Sequence, residues 1–291
     1  MNKREFLKTI TVAAAGGILG AEVNHSPNIN APSVITPSRA KDILARGVIR
    51  AGYIVLPPEM QRDPNTGKMS GIAYDLTEAL AKKLHLKVEW VEELNFASMH
   101  EGLALGRFDM ICFTLYRRAN LGRVISFSRP LFYSGNGVYV RAEDQRFGQD
   151  LSIINDPAYV IAAMDGEITA DLAGEHFPLA RSLNLPAGSD IAQLLLQVTT
   201  RKADVALVNN TIAQLFMRQH PGQLRNLAAN QPLAVYAHGF GLPLAETELQ
   251  QMVDLAFDQM LENGQLDRIL GQYEPTPGSY LRLATPYRLS A

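Results

Sequence analysis

At 291 residues, with 47% hydrophobic and 19% charged side chains, the chain reads as a folded globular protein long enough for two lobes with cores of their own, not as a disordered one. Its net charge of −2 argues against a general nucleic-acid surface. One cysteine, Cys112, excludes an internal disulfide, and its place between Ile111 and Phe113 makes it a small core residue and not a nucleophile.

Lys3, Arg4 and Lys8 form a basic start, and Thr9 to Ala21 is an apolar stretch too short for a comfortable membrane span. That layout predicts a cleavable export signal over 1–21, with an uncleaved anchor as the alternative. The order Lys3-Arg4-Glu5-Phe6-Leu7-Lys8 resembles a twin-arginine signal with lysine in the first position, and the Sec route is the alternative. No cysteine lies near the cleavage region, so a lipoprotein anchor is not expected. Residues 22–38, rich in Asn, Ser and Pro, read as a linker.

Ser38 caps a predicted helix to Ala45, and a strand follows over Val48 to Val55, ended by Leu56-Pro57-Pro58. Asp63-Pro64-Asn65-Thr66-Gly67 is a turn. Asp75 is the expected N-cap of a helix with Leu76, Ala79, Leu80 and Leu84 on one face. Lys87 to Val91 is strand-like, with Trp90 as a core residue. Ser98 and Glu101 are spaced as a capping box, and Met110 to Phe113 is a buried strand. Further strands are expected at Gly137 to Arg141, Tyr159 to Met164, Asp204 to Val208 and Leu233 to Gly241. Helices are expected after Ser189, over Thr211 to Gln219, and from Leu249 to Leu261. Alternating strands and helices imply α/β lobes with mainly parallel sheets. No internal repeat is visible.

The segment Gly106 to Pro130, GRFDMICFTLYRRANLGRVISFSRP, resembles the signature of the amino-acid-type periplasmic solute-binding proteins, the receptor subunits of ABC importers. Val48 to Tyr53, Gly71 to Leu76, Lys202 to Ala206 and the closing helix with Asn263-Gly264 fit the same family in order and spacing. The resemblance implies the type 2 periplasmic-binding fold: two α/β lobes, each with a mixed, mainly parallel sheet, joined by two hinge strands. Lobe one would be 39–138 with 240–291 and lobe two 139–239. The only crossings would lie near Val138 to Arg141 and Val235 to Gly239, with the two sheets separate. Ligand would sit in the cleft between the lobes.

The resemblance also points to site residues. Phe113, Thr114 and Tyr116 stand where relatives place small hydroxyl donors. The family's carboxylate-binding arginine falls on Leu121, so Arg118 is the preferred replacement, with Arg117 and Arg123 as alternatives. Gly166-Glu167 replaces a Gly-Thr pair. Asn209 replaces an aspartate that pairs with the ligand's ammonium. Tyr53 and Tyr74 fall where relatives often place rings against the ligand, with lobe packing as the alternative role for each. Three altered anchors predict weak binding of free α-amino acids and a small polar solute instead, amino-acid-like or a derivative, or cationic.

The expected function is a monomeric periplasmic receptor that delivers its solute to ABC permease subunits, without nucleic-acid partner or membrane span after signal removal. The second reading is an enzyme on the same scaffold, like the cyclohexadienyl dehydratases, with Glu59, Glu93, Asp165 and Glu167 as candidate acids or bases. The third is a ligand-sensing subunit. The sequence contains no metal-ligand spacing, phosphate loop or His/Asp/Ser arrangement, so neither cofactor nor metal is expected, and most of the scattered histidines read as surface residues.

Overall fold

The computed structural model describes residues 38–284. The expected export signal and all but the last residue of the linker lie outside the described residues, as do residues 285–291. Helix α1 (Arg39–Arg46) begins at Ser38, whose hydroxyl accepts the Lys41 N–H at 3.5 Å, and strand β1 (Val48–Tyr53) follows. A short hairpin, β2 (Gln61–Arg62) and β3 (Met69–Ser70), closes on the Asp63 turn.

Helix α2 (Ile72–Lys83) starts before Asp75, which corrects the expected cap. Its first N–H groups bond to loop carbonyls, Ala73 N to Glu59 O at 2.8 Å among them. Gly71 permits this. Its φ is 119°, and a Cβ there would stand 2.6 Å from the Glu59 carbonyl. Asp75 instead accepts the Tyr273 hydroxyl at 2.7 Å. After β4 (Lys87–Glu93), Ser98 stands at the N-cap of helix α3 (Met99–Ala104), but its hydroxyl donates to Asn95, which also takes the N–H groups of Ala97 and Ser98, so the Ser98/Glu101 box does not form.

The chain continues through β5 (Met110–Tyr116), β6 (Ser126–Phe127), β7 (Phe132–Arg141), β8 (Val160–Met164), α4 (Ile168–His176), β9 (Arg181–Leu185) and α5 (Ala192–Thr199). Asp190, not Ser189, caps α5, accepting the Ala192 N–H at 2.9 Å. Then come β10 (Val205–Asn209), α6 (Asn210–Gln219), β11 (Leu224–Asn226), β12 (Ala234–Leu242), α7 (Thr247–Glu262) and α8 (Gln265–Tyr273).

The strands run β4-β1-β5-β12-β7-β10-β8-β9. Pairs β4-β1-β5 and β10-β8-β9 are parallel, while β12 and β7 run antiparallel to each other and to their outer neighbours. The sheets of the two lobes are therefore joined in one hydrogen-bonded ladder, which corrects the expectation of separate sheets. The joining follows from the hinge: Phe132 to Asn136 pairs with Ala234 to His238 where the chain passes between lobes, earlier than the expected Val138 to Arg141, which pairs with β10 and β11. The lobes are distinguished by their cores. Ile49, Leu76, Met110, Phe240 and Phe257 belong to one set of clusters, and Met164, Leu195, Leu207 and Phe216 to another. Along β5, Met110 and Cys112 face the helices α2 and α7, while Ile111, Phe113 and Leu115 face the opposite way. Beyond α8 the chain also reaches the second lobe, where Thr276 donates to Gln214 of α6 at 2.9 Å, and the hinge strand β7, where Leu281 bridges to Tyr133. This strap accompanies the two crossings.

Both lobes tie strand to strand by the same device. Asp109 and Asp204 each precede a central strand, donate their own N–H to a carbonyl of the neighbouring strand, and return a carboxylate oxygen to an N–H there: Arg50 at 2.8 Å, Val160 at 3.0 Å. Asp109 is fully buried and also holds Arg46 and Arg50. Asp204 holds Arg141 and Arg146.

Candidate functional site

The carboxyl ends of the parallel strands in both lobes converge on one cleft, the usual ligand position in open α/β sheets. A cavity of about 40 Å³ lies there, lined by Glu59, Phe96, Phe113, Thr114, Tyr116, Asn136, Glu167, Asn209 and His238 with aliphatic neighbours. That volume suits a few waters. A solute needs the lobes to part.

Glu59 follows Pro57-Pro58, in the loop whose carbonyls cap α2, and is 7% exposed. It accepts the Thr114 hydroxyl, but burial dominates and pushes its pKa up to about 7. Glu167 comes from the other lobe, also 7% exposed. It is the N-cap of α4 and accepts the Thr169 N–H at 2.7 Å. Burial raises its pKa, while the helix N–H bonds and the Arg118 charge pull the other way. Glu167 thus complements the helix end without pointing to solvent.

Asn209 caps α6, taking the Thr211 N–H at 2.8 Å. Its amide donates to the Tyr116 hydroxyl at 2.9 Å and to Ser134 Oγ at 2.8 Å. With both donors used, Asn209 ties the lobes and the hinge. His238, 3% exposed, continues this chain. Its Nδ1 lies 2.8 Å from the Thr114 carbonyl, which only accepts, so Nδ1 donates and Nε2 accepts from Ser134 at 2.6 Å. Burial pushes its pKa down to about 4. The reading of most histidines as surface residues misses this one.

Of the sequence-derived site residues, Phe113, Thr114, Tyr116, Glu167 and Asn209 meet in the cavity. Tyr53 and Tyr74 lie elsewhere, packing on Trp90 at 5.8 and 5.4 Å. Gly166, with φ 76°, forms the turn before Glu167, and a Cβ there would stand 3.3 Å from Ala97 of the other lobe. Arg118 spans the cleft mouth instead of entering it. It bonds Asp171 at 2.7 Å and the Gly166 carbonyl at 3.0 Å. Arg117 and Arg123 are exposed, and among the described residues no Lys or Arg lines the cavity. Of the candidate acids, Asp165 and Glu93 are exposed, and Glu93 faces Arg62. Sequence reasoning named Glu59 only as a candidate acid and missed Phe96, Asn136 and His238. Their available signal was a polar residue inside an apolar strand, as with His238 within Leu233 to Gly241.

The two shifted groups oppose each other in stability. Glu59 is raised from 4.5, so folding loses stability as pH climbs from 4.5 to about 7; His238 is lowered from 6.5, so stability is lost as pH falls from 6.5 to about 4. Each contributes about 3 kcal/mol at most. Glu59→Gln should therefore match the wild type near pH 4.5 and exceed it by up to about 3 kcal/mol at pH 8, as read by urea unfolding. A variant less stable than wild type at pH 8 would contradict the burial cost assigned to Glu59.

Among the described residues no His, Cys, Asp and Glu cluster is placed to hold a metal, and no helix is long and apolar enough to cross a membrane.

The chain is 26% identical to membrane-bound lytic murein transglycosylase F of Cronobacter sakazakii, over 81% of this chain and 45% of that protein. It spans about half the length of the transglycosylases it matches. It is 24% identical to the probable amino-acid-binding protein YxeM of Bacillus subtilis, over 71% of this chain and 76% of that one. Among solved structures, an ancestral amino acid-binding protein, a precursor of cyclohexadienyl dehydratase, superposes with a TM-score of 0.71 at 22% identity, covering 82% of this chain and all of that one. The cysteine-binding protein of Campylobacter jejuni gives 0.71 at 15% identity, with 84% and 99% coverage. These likenesses give the two-lobed type 2 periplasmic-binding fold. The family model of the bacterial extracellular solute-binding proteins, family 3, matches residues 49–276, and the chain belongs to that family.

Proposed function

We propose that the protein is a periplasmic receptor that closes its cleft on a small organic cation, an amino-acid-like amine lacking a free α-carboxylate, and delivers it as a monomer to the permease of an ABC importer. Lobe one would be 39–138 and 240–291, lobe two 139–239, with the basic and apolar N-terminus serving export. One observation carries the ligand reading: two buried carboxyls from opposite lobes face one cavity that, among the described residues, no Lys or Arg lines. A carboxylate ligand brought there would lack a partner, at a cost of several kcal/mol. An ammonium finds two. Closure by a ligand that contacts both lobes follows from its higher affinity for the closed form.

A thermal-shift screen against amines, the common amino acids, small carboxylates and opines tests the reading, since bound ligand raises the melting temperature by mass action. Amines should give the largest shifts. A larger shift from any common α-amino acid would overturn it.

Glu59 also favours a second reading. A buried carboxyl with a pKa near 7 is suited to general acid–base work on a bound substrate. Turnover of a cleft ligand, abolished in Glu59→Gln, would establish the enzyme; binding without turnover supports the receptor.

A further inference from the structure

Near the hinge, three side chains carry polar atoms that form no hydrogen bond among the described residues: Asn136 Nδ2, Thr211 Oγ1 and the Tyr280 hydroxyl. The residues are 0%, 1% and 1% exposed. Native interiors leave few such groups, because a buried donor without a partner forfeits its hydration for nothing. Three separate elements supply them. Asn136 lies on the crossing strand β7 and lines the cavity. Thr211 opens α6, two residues past Asn209. Tyr280 arrives on the C-terminal strap, fixed by the Leu281–Tyr133 bridge and by the Phe132 ring 5.0 Å away. Its hydroxyl stands beside the Glu59 carboxyl and the Thr211 hydroxyl but bonds neither with ordinary geometry.

The free atoms define the chemistry. The Asn136 oxygen is engaged by the Tyr116 hydroxyl at 3.4 Å, so its idle atom is a donor. Thr211 and Tyr280 add two hydroxyl donors. The unmet need is therefore an acceptor. A carboxylate there would face Glu59 with no Lys or Arg among the described residues lining the cavity. A hydroxyl or carboxamide oxygen fits, because it is neutral, accepts from these donors, and brings an O–H or N–H for Glu59.

We propose that Asn136, Thr211 and Tyr280 form a second subsite of the cleft, which holds the hydroxyl or carboxamide end of a ligand whose ammonium lies between Glu59 and Glu167. The ligand class is then an amino alcohol or amino amide. This rests on the cation reading above and goes further by naming the other end of the molecule.

Calorimetry at pH 8 with propylamine, propanolamine and β-alanine tests it on the wild type and on Tyr280→Phe. Propanolamine should bind the wild type at least tenfold tighter than propylamine, with β-alanine weakest. Tyr280→Phe should shrink the ratio of propanolamine to propylamine affinity at least threefold. It should also melt no lower than wild type, since the hydroxyl removed forms no hydrogen bond among the described residues. Equal affinity for the two amines overturns the subsite and leaves the cation reading standing. So does an unchanged ratio in the variant, or a fall in its melting temperature. Tightest binding of β-alanine, or no binding of any probe, sinks both.

Discussion

Glu167→Gln is expected to weaken binding of a small organic cation by about a hundredfold, roughly 2.7 kcal/mol, and Glu59→Gln to weaken it by a similar factor at pH 8. A hydrogen bond to a charged group contributes about 1.5–3 kcal/mol, and the buried setting places these two at the upper end. Glutamine keeps the shape and one acceptor oxygen, so a neutral hydrogen bond survives while the charge is lost. The two sites differ in what else the substitution touches. Glu167 also caps α4 through Thr169, and an amide oxygen can still accept that N–H at a modest loss. Glu59 receives the Thr114 hydroxyl, which an amide also accepts. Calorimetry on both variants separates the readings. An affinity that changes less than threefold in both would remove the carboxyl pair from the ligand's contacts.

Asp109→Ala is expected to cost about 3 kcal/mol, because it removes a fully buried carboxylate that three half-buried or exposed arginines and a backbone N–H share. Arg46 and Arg50 both bond to this carboxylate, Arg39 approaches to 3.8 Å, and the Arg50 N–H loses its acceptor as well. For a chain of this size the melting temperature should fall by about 10 °C. Asp204→Ala should cost less. Asp144 bonds both Arg141 and Arg146 and keeps them paired when Asp204 is gone. Matched thermal melts of the two variants check the ordering. Equal small losses would mean that the strand joint in the first lobe does not depend on its aspartate.

The fold was legible because its signals are local and ordered. Apolar strands, the Gly-x-x-Asp joint at Gly106 to Asp109, its counterpart before Asp204 and the closing amphipathic helix recur in the structure as short elements that each make their own bonds. The caps were harder. Asp75 and Ser189 have the right chemistry, yet Gly71 and Asp190 serve their helix ends, and Ser98 stands at its helix end with the hydroxyl turned to Asn95, because the neighbouring loop decides which side chain reaches the free N–H groups. The site was half legible. Thr114, Tyr116, Glu167 and Asn209 follow strand ends that the pattern predicts. Arg118 does not enter the cavity, because Asp171, fifty-odd residues later, captures it at the cleft mouth, a pairing that sequence spacing does not encode. Tyr53 and Tyr74 turn to Trp90 for the same reason: ring packing within a lobe is a tertiary choice. His238 and Asn136 were hidden inside strands whose neighbours are apolar or small.

The central claim is that a cation binds against an acid whose burial leaves it about half protonated near neutral pH. The most direct measurement is the proton balance of binding, taken by calorimetry at pH 6.5 in two buffers of different ionisation enthalpy, with the amine that gives the largest thermal shift. Glu59, with a pKa of about 7, must ionise to pair with an ammonium, so binding should release about half a proton or more per molecule, and affinity should rise as pH climbs from 6 to 8. Uptake of a proton, or an affinity that falls over that range, would contradict the account and show that the cleft receives an anion or a ligand indifferent to Glu59.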